Sequence, residues 1–141
     1  MQSLGYGPIL GRYPGDIYDG DNDTSGQGHP WALCTAAFAE LYYGLANAIT
    51  TSQTVPFDNN SANFFSQIGV EASTPASGAV TALQSAGDAM LNALIFHSDQ
   101  FELSEQFDRD TGYEKSVSDL TWSYAAFLSA VRAKTGQSVL G

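Results

Sequence analysis

Pro30-Trp31-Ala32-Leu33-Cys34-Thr35-Ala36-Ala37-Phe38-Ala39-Glu40-Leu41-Tyr42-Tyr43-Gly44-Leu45-Ala46-Asn47-Ala48-Ile49 carries a single charged side chain, Glu40. Trp31, Cys34, Phe38, Leu41, Tyr42, Leu45 and Ile49 recur at helical spacing, and Pro30 suits a first helical position, so the pattern predicts a helix starting at Pro30. A helix apolar nearly all round must be covered on most sides, as the inner helix of a larger assembly would be.

Working outward, Asp58 is placed to cap a short helix through Phe64, Phe65 and Ile68 that stops at Gly69. Thr74-Pro75 or Ser77 opens a second long helix ending near His97, with Val80, Leu83, Met90, Leu91, Leu94 and Ile95 on its apolar side. Ser118 or Asp119 is the expected cap of a third long helix, where Leu120, Tyr124, Phe127, Leu128 and Val131 recur until Gly136. Strand signals are scarce and no internal repeat or domain boundary is evident, so the expected class is all-α and the expected organisation one domain. Residues 1–29, dominated by Gly, Asp, Pro and Ser, read as a long irregular segment, and such a segment is usually functional or disordered.

Composition limits the chemistry. The 141 residues include 15 acidic and 5 basic side chains, a formal charge of -10, which disfavours nucleic acid and anionic lipid as partners and suits a neutral ligand. No apolar run is long enough to predict a membrane span. Charged residues are only 14% of the chain, so the surface is largely uncharged polar, a composition more typical of a secreted protein. The sequons at Asn22 and Asn59 agree with secretion, although residues 1–8 lack the pattern of a signal peptide. Cys34 is the only cysteine; it excludes an intrachain disulfide and reads as a buried, inert thiol.

Two stretches could carry chemistry. In Leu103-Ser104-Glu105-Gln106-Phe107-Asp108, a carboxylate stands on a loop, spanning roughly 99–117, just before an aromatic-rich helix. Ser104, Gln106 and Ser116 are potential partners that could orient Glu105 for proton transfer; the plain alternative is a solvated loop acid. In Gly11-Arg12-Tyr13-Pro14-Gly15-Asp16-Ile17-Tyr18, followed by His29-Pro30-Trp31, Arg12 offers a fork of donors, Asp16 two acceptor oxygens, and Tyr13, Tyr18 and Trp31 flat faces suited to a sugar ring. The competing reading is an Arg12–Asp16 pair that merely holds the loop.

Together these stretches resemble glucoamylases, the inverting exo-glucosidases of glycoside hydrolase family 15. Ser104-Glu105-Gln106-Phe107-Asp108, a short Gly turn, and Ser118-Asp119-Leu120-Thr121-Trp122-Ser123-Tyr124-Ala125-Ala126 are similar to that family's final catalytic segment. Gly11 to Tyr18 and His29 to Leu33 are similar to its Gly-Arg-Tyr-Pro-Glu-Asp-x-Tyr and Asn-Pro-Trp-Phe-Leu segments, with Ala39-Glu40-Leu41-Tyr42-Tyr43 between the two motifs. The resemblance implies the C-terminal portion of an (α/α)6 toroid. It also implies Glu105 as general base, Ser116 as its hydrogen-bond partner, and Arg12, Asp16, Tyr18, Trp31 and Trp122 around an α-glucan substrate. The implied reaction uses no metal or organic cofactor.

The chain departs from that pattern at Gly15, His29 and Ala32, which bears on loop geometry and sugar affinity rather than on the base. An inverting glycosidase also needs a second carboxyl about 6.5–9.5 Å from the base. By the resemblance this general acid lies upstream of Arg12, and residues 1–29 contain nothing similar, so the missing N-terminal part of the same catalytic domain is an expected partner. Asp19, Asp21 and Asp23 form an acidic loop that is a poor substitute for the acid and lacks the ligand spacing of a calcium loop. His29 and His97, at a helix start and a helix end, read as capping or exposed residues, and Gly5 to Gly11 as turns. Outside the enzyme class, the same features would suit a saccharide-binding or regulatory module, or a structural helical domain whose apolar helices pair with a partner.

Overall fold

The protein, described by a computed structural model over residues 5–21 and 26–137, is built on three long helices. The elements in chain order are α1 (Ala32–Ser52), α2 (Ala62–Ser66), α3 (Ala76–His97), β1 (Gln106–Phe107), β2 (Glu114–Lys115) and α4 (Thr121–Lys134). The Asn22 sequon and Asp23 lie outside the described residues. Among these elements no helix is long and apolar enough to cross a membrane.

Helix α1 is the centre of the molecule, packed against both α3 and α4. Its buried face is made by Ala32, Thr35, Ala36, Ala39, Tyr42, Tyr43, Ala46 and Ile49; of the larger residues that the spacing suggests, Tyr42 and Ile49 are buried, Phe38 and Leu45 pack partly buried against the core, and Leu41 is exposed. Small residues win because they let neighbouring backbones approach. Opposite Tyr43, α3 presents Gly87, where an added Cβ would lie 2.7 Å from the ring. The Tyr43 hydroxyl then reaches Asp88, which is also paired with Lys134 of α4, and Asn47 donates to the Ala133 carbonyl, so polar contacts fix the helix register. On the other side of α1, Ala37, Leu41, Gly44 and Ala48 remain exposed within this chain.

Several boundaries differ from the sequence expectation. Helix α1 starts two residues late because Trp31 is extended (φ -118°, ψ 133°) and bridged to Gln106, while the Pro30 carbonyl accepts the Phe107 N–H. These two residues form an edge of a small sheet instead of a first helical turn. That sheet, β1 paired antiparallel with β2 through Gln106–Lys115 and Phe107–Glu114, was hidden because each strand is only two residues long. Leu120, not Ser118 or Asp119, precedes α4; Asp119 sits at φ 51° and accepts a bond from the Tyr124 hydroxyl. Asp58 caps the turn before α2, accepting N–H bonds from Asn60 and Ser61. Ile95 and Leu128, expected on apolar faces, are exposed, and the buried positions of α4 are Ser123 and Ala130.

Candidate active site

The irregular segment before α1 is ordered by what it lies against. Gly7 donates to the Ala89 carbonyl of α3, Leu10 to the Thr35 hydroxyl, and Trp31 to the Leu10 carbonyl. Farther along, the buried Gln106 side chain accepts the Gly20 N–H and donates to the Tyr18 carbonyl. A side-chain amide offers both donor and acceptor, so one residue of β1 can replace the backbone partners that an irregular strand would otherwise lack.

Arg12, Asp16, Tyr18 and Trp31 come together. Arg12 makes a two-pronged contact with Asp16, both bonds 2.8 Å, and Asp16 also accepts the Tyr18 N–H. The Arg12 guanidinium holds the Asp16 carboxyl down at about 2, against an ordinary 3.8. The same guanidinium carbon lies 4.7 Å from the Trp31 ring centre, 4.8 Å from that of Tyr18 and 5.4 Å from that of Tyr13. Arg12 therefore does what both readings of the sequence asked of it: it holds the loop and, about one-third exposed, still presents donors beside aromatic faces. Trp31 is buried, with no partner for its indole N–H among the described residues, while Tyr18, tilted against it at 5.8 Å, is 44% exposed.

Glu105 lies one residue before β1. Its N–H donates to the Val117 carbonyl, and its own carbonyl accepts the Ala32 N–H at the start of α1. Its side chain is half-buried, with Oε2 accepting a 2.5 Å bond from Ser116 Oγ. Ser116 stands at φ 68°, an uncommon conformation for a residue with a side chain, and its N–H donates to Asp21. The other two expected partners are used elsewhere. Ser104 faces Glu114 and gives its carbonyl to Ser123, while Gln106 serves the Tyr18–Gly20 loop. Trp122 is exposed on the first turn of α4, which docks beside Leu103 and Ser104, and is not among the rings around Arg12.

Three contributors were not legible in the sequence. Gly20 presses on the Glu105–Ser116 pair so closely that a Cβ there would fall 1.8 Å from Ser116 Oγ and 3.0 Å from Glu105 Oε2. Lys115 of β2 bridges Asp19 and Asp21, 3.2 Å from each. His29 is buried, neither capping nor exposed: Nδ1 accepts the Arg109 N–H, which makes Nε2 the ring N–H that donates to Asp19. Burial alone would raise the Asp19 carboxyl, but the Asp21 N–H, Lys115 and His29 hold it below its ordinary value. The acidic loop is thus a counter-charge for a lysine. His97 also differs from expectation, packing half-buried against Phe107 and bonding the Gly112 carbonyl through Nδ1. Cys34 is a free, half-buried thiol whose pKa is raised by burial. Among the described residues no group of three His, Cys, Asp or Glu is placed to hold a metal ion.

A fold of long helices, with an oriented carboxylate and an aromatic-walled arginine on adjoining loops, has the character of a glycoside hydrolase site. The sequence profile of Glycosyl hydrolases family 15 matches residues 2–132, and the chain belongs to that family. It is 35% identical to the glucoamylase GLA1 of Saccharomycopsis fibuligera over 91% of this chain and 28% of that protein. The solved Hormoconis resinae glucoamylase superposes with a TM-score of 0.79 at 32% identity, covering 95% of this chain and 24% of that one. For the Saccharomycopsis fibuligera glucoamylase structure the TM-score is 0.80 at 28% identity, over 99% and 32%. The chain thus spans about a quarter to a third of the length of these relatives, and its helices are a part of their (α/α)6 barrel.

Proposed function

We propose that this chain carries the general-base half of an inverting, exo-acting glucoamylase site that releases β-glucose from the non-reducing ends of α-1,4-glucans. In this reading residues 1–141 are part of one catalytic domain: 1–29 supply the substrate-binding segment and 30–141 the helices and the base loop. The observation that carries it is the Ser116–Glu105 bond, which engages Oε2; among the described residues nothing bonds Oε1, the oxygen that would take a proton from an attacking water. Arg12 and the Tyr18 and Trp31 rings would hold the sugar hydroxyls and its apolar face, Asp16 would keep Arg12 in place, and Trp122 would form an outer wall.

An inverting mechanism needs a second carboxyl across the sugar from the base. Asp21 is the acid tied most directly to the Glu105–Ser116 pair, and it is engaged by Lys115 and the Ser116 N–H. The general acid would therefore come from another part of the parent domain, and the isolated chain would have negligible activity. A secreted parent is supported by the weakly charged surface and by the exposed sequon at Asn59.

Incubating the chain with maltooligosaccharides while following both binding and glucose release tests this reading. Negligible glucose release is expected; release that disappears in Glu105→Gln would refute the claim of inactivity, whereas binding without release would favour a non-catalytic module. The second reading, a saccharide-binding module without catalysis, is favoured by the Arg12 cage alone, which needs no acid.

A further inference from the structure

The residues on either side of Ser116 are tied to the segment that carries Glu105. Lys115 pairs with Gln106 across the sheet, and the Val117 carbonyl accepts the Glu105 N–H. Ser116 between them stands at φ 68° while its hydroxyl bonds Glu105 Oε2. A residue with a side chain costs free energy in this conformation, and it stays there only where its surroundings hold it from several directions. One hold is the contact with Gly20 described above. The other is a hydrogen bond: the Ser116 N–H, turned away from the sheet, donates to Asp21 Oδ2 at 3.2 Å.

An acid whose side chain is 51% exposed holds nothing unless it is itself held. Asp21 is. Its own N–H donates to Asp19 Oδ1 at 2.8 Å, and Lys115 Nζ lies 3.2 Å from Oδ2, the same oxygen that accepts the Ser116 N–H. A carboxylate oxygen has lone pairs for both donors. Lys115 in turn is fixed by Asp19, and Asp19 is buried against His29. An unbroken series of contacts therefore runs from the buried His29 through Asp19, Lys115 and Asp21 to the Ser116 backbone, and from the Ser116 hydroxyl to Glu105. An exposed ion pair adds little stability, so the use of this one is better sought in geometry.

We propose that Asp21 is a positioning residue for Glu105. By holding the Ser116 N–H it keeps Ser116 in the left-handed conformation that aims Oγ at Oε2, and Lys115 keeps Asp21 on that N–H. Asp21 acts through Ser116, and its service to catalysis rests on the reading of Glu105 as the general base. The bridge between Lys115 and the acidic loop then does more than fasten two segments: it sets the direction of the carboxylate.

The test is the Glu105 carboxyl carbon resonance, followed at one fixed pH in the full ¹³C,¹⁵N-labelled chain and in Asp21→Ala, Asp21→Asn, Ser116→Ala and the double variant Asp21→Ala/Ser116→Ala. Removing the exposed Asp21 side chain leaves the core intact. Asp21→Ala is expected to move the Glu105 signal in the direction that Ser116→Ala moves it, and the double variant to move it no further than Ser116→Ala does. The Ser116 N–H should exchange about tenfold faster in Asp21→Ala, and Asp21→Asn, which keeps an acceptor oxygen, should restore most of both effects. A Glu105 signal unmoved in Asp21→Ala, or a double variant whose shift is the sum of the two, overturns the proposal. These signals do not depend on whether Glu105 is a base. Catalysis separates the two readings in a glucoamylase whose matching segment is replaced by residues 5–137 of this chain. There Asp21→Ala should lower kcat by about ten- to a hundredfold with KM little changed, and Asp21→Asn should recover most of it. A kcat lost in Glu105→Gln but indifferent to Asp21→Ala contradicts the positioning role and leaves the base in place, whereas a kcat indifferent to both sinks both.

Discussion

Ser116 Oγ lies 2.5 Å from Glu105 Oε2, and the residue that closes the space behind this pair is a glycine 85 or more positions away, Gly20. The carboxylate is therefore oriented jointly by the hairpin that carries Ser116 and by the loop that precedes α1. Gly20→Ala should force the two apart, since its Cβ would fall inside the Ser116 side chain. The expected result is a loss of about 1–3 kcal/mol in urea unfolding together with a displaced Ser116 amide resonance. An alanine variant with unchanged stability and an unmoved Ser116 signal would contradict the packing described.

Lys115 joins the same two segments through Asp19 and Asp21. Lys115→Met should lower the urea midpoint and speed hydrogen exchange at Gly20 and Ser116, and Lys115→Arg should restore most of both because it keeps the charge. If Lys115→Met and Asp19→Asn prove additive in a double-mutant cycle, the two residues are not coupled and the bridge does not hold the loop.

Acid should release the Arg12 loop in a defined window. The Asp16 carboxyl is depressed from 3.8 to about 2 by Arg12, so its contribution is fully present above about pH 4 and is lost as the pH falls through about 2. The Arg12 Nε–H resonance should move with a midpoint near pH 2 in the unsubstituted chain, and this step should vanish in Asp16→Asn. A midpoint near pH 4 would mean that the pair does not form in solution.

Gly87→Ala tests the helix packing away from any site. With a Cβ 2.7 Å from the Tyr43 ring, α1 and α3 must separate or the ring must leave its position, at a cost of about 1–3 kcal/mol. Neutral or increased stability, the usual result for Gly→Ala inside a helix, would show that the helices are not in this contact.

Periodicity located the three long helices because each is long enough to declare itself. It underrated the small residues, since α1 buries Ala32, Ala36, Ala39 and Ala46 completely beside Tyr42 and Ile49, while Phe38 and Leu45 are only partly buried and Leu41 is exposed. The two-residue strands gave no alternation to read, and with them went the reason why Trp31 is extended. Arg12, Asp16, Tyr18 and Trp31 were recognisable as a group because their chemistry is local to one segment, as was Ser116 as a partner for Glu105. His29, Lys115 and Gly20 were not, because each acts on a residue brought near only by the fold. His29 looked like a helix cap on account of its neighbours in sequence; its actual partners are Asp19 and the Arg109 backbone.

The claim that Glu105 is a general base is tested most directly by grafting. Residues 5–137 would replace the matching segment of the Saccharomycopsis fibuligera glucoamylase, and the anomer released from maltoheptaose would be followed by proton NMR. The account predicts an active chimera that releases β-glucose and loses about 10²- to 10⁴-fold in kcat in Glu105→Gln, with substrate binding retained. An active chimera whose kcat is unchanged by Glu105→Gln would contradict it.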